Sequence, residues 1–168
     1  VLRDRELVGL LLVRAEEHRI DHAIRRVAGL APQDGAPPRL PLPADLEVAL
    51  ATAERRRSGE QGQPHLGTAD LPADLLHRLL WHAAAALRDY LGRTTALDHG
   101  ERDHALAAIV HARLAAHDEG ASLESLSTRV AMALPSDDSL LLHLFQGGRF
   151  GLFVAALGVR ARLDRGSA

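Results

Sequence analysis

One five-residue motif occurs twice in the chain, and each copy precedes a long helical pattern. Residues 42–46 and 71–75 both read Leu-Pro-Ala-Asp-Leu, and the two copies start 29 positions apart. Proline suits the first turn of a helix, where its missing N–H has no partner to lose, and a nearby aspartate faces the positive end of the helix dipole. Both copies therefore predict helix starts. Similar helical units a few tens of residues apart are typical of stacked helix hairpins.

Composition favours helix and removes several kinds of chemistry. The 168 residues are 46% hydrophobic, mostly Leu and Ala, while aromatic residues make up only 3%, a mix that favours helix over sheet. The absence of cysteine from the sequence excludes disulfides, thiol catalysis and cysteine-bound zinc. A net charge of −2 gives no overall attraction to nucleic acid or anionic membranes. We interpret the one basic run, residues 55–57, as a solvated helix end.

Apolar periodicity and capping residues divide the chain into helices. The first segment has an apolar face that changes sides near residues 18–21. We interpret this as a break between helices of about 4–17 and 20–28, the alternative being one helix that passes between two partners. The sequence predicts six further helices, over about 44–57, 71–91, 99–117, 123–134, 138–146 and 150–163. Asp98, Ser122 and either Ser136 or Asp137 are the predicted N-caps of the helices that follow them, and Gly92 is the predicted end of helix 71–91.

Two proline- and glycine-rich stretches separate the first helices. Five prolines make residues 31–43 an extended linker, and three glycines with a proline make 58–69 a flexible loop. The prediction is one all-α domain over residues 1–168, with antiparallel helices in a HEAT-like stack or irregular bundle. The apolar stretch 140–159 has Gln-Gly-Gly-Arg at its midpoint, which suits a turn between two helices better than a membrane span. We therefore expect a cytoplasmic protein without membrane contact.

Several phrases are similar to those of a known family. They are residues 4–8, residues 70–81 followed by residues 83–88, residues 118–124 and residues 144–157. Together they resemble a bacterial family of HEAT-like helical repeat proteins, domain of unknown function twenty-three thirty-six. The resemblance implies a helical-repeat fold and carries no catalytic residue. Members of that family tend to be longer, so the chain looks like a short member or a fragment.

Ten histidines raise the question of a metal site. His18 and His22 are four residues apart on one helix, a spacing that can chelate a metal, but they fall at the expected break. Glu101 with His104, and Asp74 with His77, match half of a di-iron pattern and lack its further glutamates. We predict no metal, no cofactor and no catalytic residue. The alternative is a metal-dependent helical enzyme that uses histidine and carboxylate groups.

An interaction surface is the better-supported interpretation. Trp81 and Arg88 point away from the apolar stripe of their helix, where either a second helix or a partner protein would pack. The final helix is apolar on nearly all sides, so we expect part of its apolar surface to be buried against another chain. We predict a non-enzymatic protein-interaction or scaffolding module, which binds a protein partner or forms a homodimer through residues 138–163. Its candidate interface residues are Trp81, Arg88, Phe150, Phe153 and Leu157.

Overall fold

The protein is an all-α fold, as the sequence predicts. The structure, a computed structural model, describes residues 4–27, 29, 40–58, 63–96, 98–134 and 137–161. These residues form two short 3₁₀ turns, at Thr68–Asp70 and Glu119–Ala121, and no strand. They also form seven α-helices: α1 (Arg5–Val27), α2 (Ala44–Ser58), α3 (Ala73–Thr94), α4 (His99–Ala115), α5 (Leu123–Ala133), α6 (Asp138–Gln146) and α7 (Phe150–Ala161).

Local capping sets most of the helix starts. Both Leu-Pro-Ala-Asp-Leu phrases begin helices, at Ala44 and Ala73, with the proline immediately before the first helical residue. The side chains of Asp98, Ser122 and Asp137 accept hydrogen bonds from backbone N–H groups in the first turns of α4, α5 and α6. These caps confirm the predicted starts, because each pairs a donor that a helix leaves unsatisfied.

The predicted break in the first helix is wrong. α1 runs without interruption from Arg5 to Val27, so the alternative holds and one helix meets two different neighbours. Near its start, Leu7 packs against the apolar side chains of α3. Near its end, Arg25 donates to the carbonyl of Gly148 between α6 and α7. Ile20 and Val27 of the second apolar face are exposed, so the change of face does not mark a break in the helix.

Gly92 does not end α3, contrary to the sequence prediction, since the helix continues to Thr94. The glycine instead makes room for a buried arginine of α4. A Cβ at position 92 would lie 3.1 Å from Nη1 of Arg102, and the Arg102 side chain is almost fully buried there. Gly92 is therefore a position of close approach between two helices.

Two apolar clusters hold the helices together. The larger core joins α2, α5, α6 and α7, and its fully buried members are Leu50, Val130, Leu144 and Leu152. The smaller core joins the start of α1 to α3 and consists of Leu7, Leu71, Leu75 and Leu76. The apolar stretch 140–159 is divided by a turn in which Gly148 has φ +66°, as the sequence predicts. Within the described chain, no helix combines the length and apolar character needed to cross a bilayer.

Salt bridges from a buried arginine fix the start of α7 against α2. The Arg149 side chain is only 1% exposed. Its guanidinium donates to both carboxylate oxygens of Glu54, at 3.0 and 3.1 Å, and to Glu47 at 3.2 Å. The arginine that argues against a membrane span is thus the residue that anchors the last helix in the larger core. Buried charges of this kind depend on their partners, because an unpaired charge in the interior is strongly unfavourable.

Candidate interaction surface

α1 is attached to the rest of the protein mainly through polar side chains. The Arg14 guanidinium donates to the backbone carbonyls of Arg57, at 2.8 Å, and His65, at 3.2 Å. Burial against these groups lowers the pKa of Arg14. At the start of the helix, Glu6 accepts a hydrogen bond of 2.5 Å from Arg78 of α3. The side of α1 that faces the protein is therefore largely a row of charged and hydrogen-bonded groups.

The last turns of α1 are attached in the same way. Arg25 donates to Asp21 at 2.9 Å and to the Gly148 carbonyl at 2.6 Å, and its guanidinium carbon lies 5.0 Å from the centre of the Phe150 ring. Position 148 favours glycine because its backbone is left-handed, and an added Cβ would also displace the flexible end of the Arg25 side chain.

The outward side of α1 exposes apolar residues. Leu12 is 66% exposed and Val27 is 85% exposed, and Val8, Leu11, Val13 and Ile20 are also exposed. Large contiguous apolar patches on a protein surface usually mark interaction sites. We use the name α1 apolar face for one strip of this surface, which consists of Val8, Leu12, Ala15, Ile20, Ala23 and Val27.

Two charges interrupt the α1 apolar face near its middle. Glu16 and Arg19 are both exposed, and the guanidinium donates to the two carboxylate oxygens at 2.5 and 2.9 Å. The hydrogen bond from Arg19 lowers the pKa of Glu16 and raises that of Arg19 itself. Both groups therefore remain charged at neutral pH.

A groove opens beside the second half of the α1 apolar face. Its volume is about 370 Å³, and it is lined by Ala23, Ile24 and Val27 of α1 and by Phe145 of α6. All four lining side chains are apolar, so the groove suits an aliphatic side chain and offers no polar group for catalysis.

The three C-terminal interface candidates differ in how far they are exposed. Phe150 and Phe153 both contact Phe145, at ring-centre distances of 5.6 and 5.5 Å, and Phe153 also packs against the larger core. Leu157 is 39% exposed and Val154 is exposed. The two phenylalanines therefore have partners within the protomer, and the free apolar surface of α7 is carried by Leu157 and Val154.

Trp81 and Arg88 both reach from α3 towards α4. Trp81 packs edge-on against the ring of His111, with 5.7 Å between ring centres, and its Nε1 donates to His77 Nε2 at 3.1 Å. Arg88 donates to both carboxylate oxygens of Asp103, at 2.8 and 2.6 Å, which lowers the pKa of that carboxyl. This is the arrangement expected where a second helix packs. Trp81 remains 37% exposed, so part of its ring faces solvent.

The histidines are not gathered into a metal site in the part of the chain that the structure describes. His18 is half-buried and His22 is exposed on α1. Asp74 pairs with Arg78, and His77 accepts the hydrogen bond from Trp81. The described residues contain no group of three or more histidine and carboxylate side chains that could hold a metal ion.

The sequence interpretation did not single out Leu12, Glu16 or Arg19. One pattern could have drawn attention to Leu12, since residues 10–13 are four consecutive apolar residues. Four consecutive positions of a helix span more than one face, so some of these side chains must point away from the core.

No protein-family model, curated protein or solved structure matches the chain. The resemblance to a helical-repeat family therefore stays a prediction from the quoted phrases, and the arrangement of side chains is the basis for the function proposed below.

Proposed function

We propose that the protein is a non-enzymatic helical interaction or scaffolding module that associates with a second copy of itself. The observation that carries the proposal is the polarity of α1. Arg14 and Arg25 hold α1 to the protein through hydrogen bonds, and its large apolar residues are mostly presented to solvent, apart from Leu7 and Leu10 in the smaller core. A helix that only completed a core would show the reverse pattern, with the apolar side inward.

Further features support an interaction role. Leu142 of α6 and Val154 and Leu157 of α7 add exposed apolar side chains near the C-terminal end of the fold. The groove at Phe145 has the shape and polarity to receive an aliphatic side chain. A cytoplasmic location, expected from the sequence, belongs to the same proposal.

Sedimentation velocity of the purified chain tests the self-association. We expect a concentration-dependent shift from monomer to dimer across the micromolar range, because covering the exposed α1 residues removes apolar surface from water. A single monomeric species over that whole range would contradict the self-association.

The alternative function, a metal-dependent helical enzyme, makes a different prediction. It requires histidine and carboxylate ligands, and the described residues provide no such group. We expect metal analysis of protein purified without a histidine tag to find iron, zinc and manganese well below one ion per chain. A stoichiometric metal that survives dialysis would favour the enzyme and count against the proposed function.

A further inference from the structure

We infer that the α1 apolar face is the surface on which a second copy of this chain docks, with the two α1 helices antiparallel. The inference rests on the self-association proposed above and adds the surface, the orientation and the register. It follows from three features of α1: its exposure, its central charge pair and the groove beside it.

The first feature is an outward apolar strip that extends to both sides of the central charge pair. Val8, Leu12, Ala15, Ala23 and Val27 follow one another at steps that are multiples of three or four residues, so they lie along one side of the helix, with Ile20 beside them. The 23-residue helix is about 34 Å long. A helix of this length can contact another over several turns.

The central charges select the orientation. Glu16 and Arg19 lie in the middle of the strip. If two copies packed parallel and in register, each charge would face its own kind across the interface, which is unfavourable. If they pack antiparallel with the two-fold axis between residues 17 and 18, Glu16 of each chain lies opposite Arg19 of the second copy. Both contacts are then attractive.

The same register matches the apolar residues. It places Leu12 opposite Ala23 of the second copy, Val8 opposite Val27, and Ala15 opposite Ile20. A large side chain thus meets a small one at two of the three contacts, which lets the helices approach closely. Leu12 of one copy also reaches the groove lined by Ala23, Ile24, Val27 and Phe145 of the other.

Registers displaced by about one helical turn lose this match. A shift of four residues in one direction sets Glu16 against Ala15 of the second copy, and a shift of four in the other direction sets Glu16 against Ala23. Each would place the Glu16 carboxylate against an apolar side chain and remove its contact with Arg19 of the second copy, which opposes association. Self-complementarity in one register is what identifies a second copy of this chain as the partner.

An apolar-to-charged substitution tests the surface. We expect Leu12→Asp to weaken dimerisation by roughly 100-fold or more in sedimentation equilibrium, because the change occurs twice in each dimer and places a carboxylate in the groove. Its circular dichroism should stay helical, since Leu12 is exposed in the protomer. The matched control is Met132→Asp on α5, which is 71% exposed and should leave the dimer unchanged.

Charge reversal tests the register. Glu16→Arg alone and Arg19→Glu alone each create like-charge contacts in the homodimer, so each should weaken self-association by roughly tenfold. Mixing the two variants restores opposite charges at both contacts, and a heterodimer of near wild-type affinity should form. A folding defect in either variant would not be repaired by mixing.

The outcomes separate the inference from the proposed function. A wild-type monomer would overturn both. If the wild-type protein is a dimer and Leu12→Asp does not weaken it, the inference is wrong. The proposed self-association would then use another surface. A dimer that is lost with Leu12→Asp but shows no rescue on mixing would overturn the antiparallel register.

Discussion

Arg149→Met should lower the free energy of unfolding by about 2–4 kcal/mol, because it removes the buried guanidinium that neutralises the half-buried carboxylates of Glu47 and Glu54. The measurement is urea denaturation at neutral pH, monitored by circular dichroism. The effect should be large because the Arg149 side chain is 1% exposed and holds both carboxylates at 3.0–3.2 Å.

Two further variants show whether charge burial is the cause. Arg160→Met, near the end of α7, removes an arginine whose partner Asp138 is largely exposed, so it should change stability by about 1 kcal/mol or less. Adding Glu47→Gln and Glu54→Gln to Arg149→Met should recover much of the loss, since it removes the two negative charges that Arg149 neutralises. If Arg149→Met lowered the free energy of unfolding no more than Arg160→Met does, the salt bridges of Arg149 would not be holding α7 against α2.

Phe153→Asp should lower the free energy of unfolding by about 3 kcal/mol or more, through loss of a large aromatic side chain and burial of a carboxylate. The reason is its position, half-buried against the larger core with its ring 5.5 Å from that of Phe145. Urea denaturation measures the loss. Leu157→Asp is the control, because Leu157 is on the same helix and 39% exposed, and it should remain close to wild-type stability.

The Phe153 variant also decides between two roles for the C-terminal hairpin. The sequence interpretation made Phe153 a dimer anchor, in which case Phe153→Asp would give a folded monomer of nearly wild-type stability. The packing against Phe145 instead favours a destabilised protomer. A stable monomeric Phe153→Asp protein would contradict this account and return the dimer interface to α7.

Local information explains why the helix boundaries could be predicted. Ser122 caps α5 through a hydrogen bond to a residue only three positions away, and such contacts are visible in the sequence itself. The same is true of the turn at Gly148, whose left-handed backbone favours glycine. All-α architecture follows from these local signals together with the composition.

Long-range contacts explain what the sequence could not provide. Arg149 and its partners Glu47 and Glu54 are about a hundred positions apart, and no local pattern connects them. Gly92 was predicted to end its helix because glycine is common at helix ends. Its actual role is to accommodate Arg102, which belongs to another helix and is not indicated by the local sequence. In each case the residue's role depends on which helices meet, and that is decided by tertiary packing.

The candidate surface was only partly visible in the sequence for the same reason. α1 has apolar residues on two sides, and periodicity does not indicate which side the protein covers. The structure shows that Arg14 and Arg25 take the inner positions through hydrogen bonds to backbone carbonyls. The apolar side is therefore left outside, which is the reverse of what an amphipathic helix in a simple bundle would show.

Distances between spin labels test the self-pairing of α1 most directly. The chain has no cysteine, so Arg5→Cys or Arg26→Cys gives one label per protomer, each at an exposed position of α1. In the antiparallel pair the two Cα atoms should lie about 40 Å apart at position 5 and about 27 Å apart at position 26. Separations of about 10 Å at both positions would indicate a parallel pair. That result, or the absence of any dipolar interaction between labels at micromolar concentration, would contradict the account.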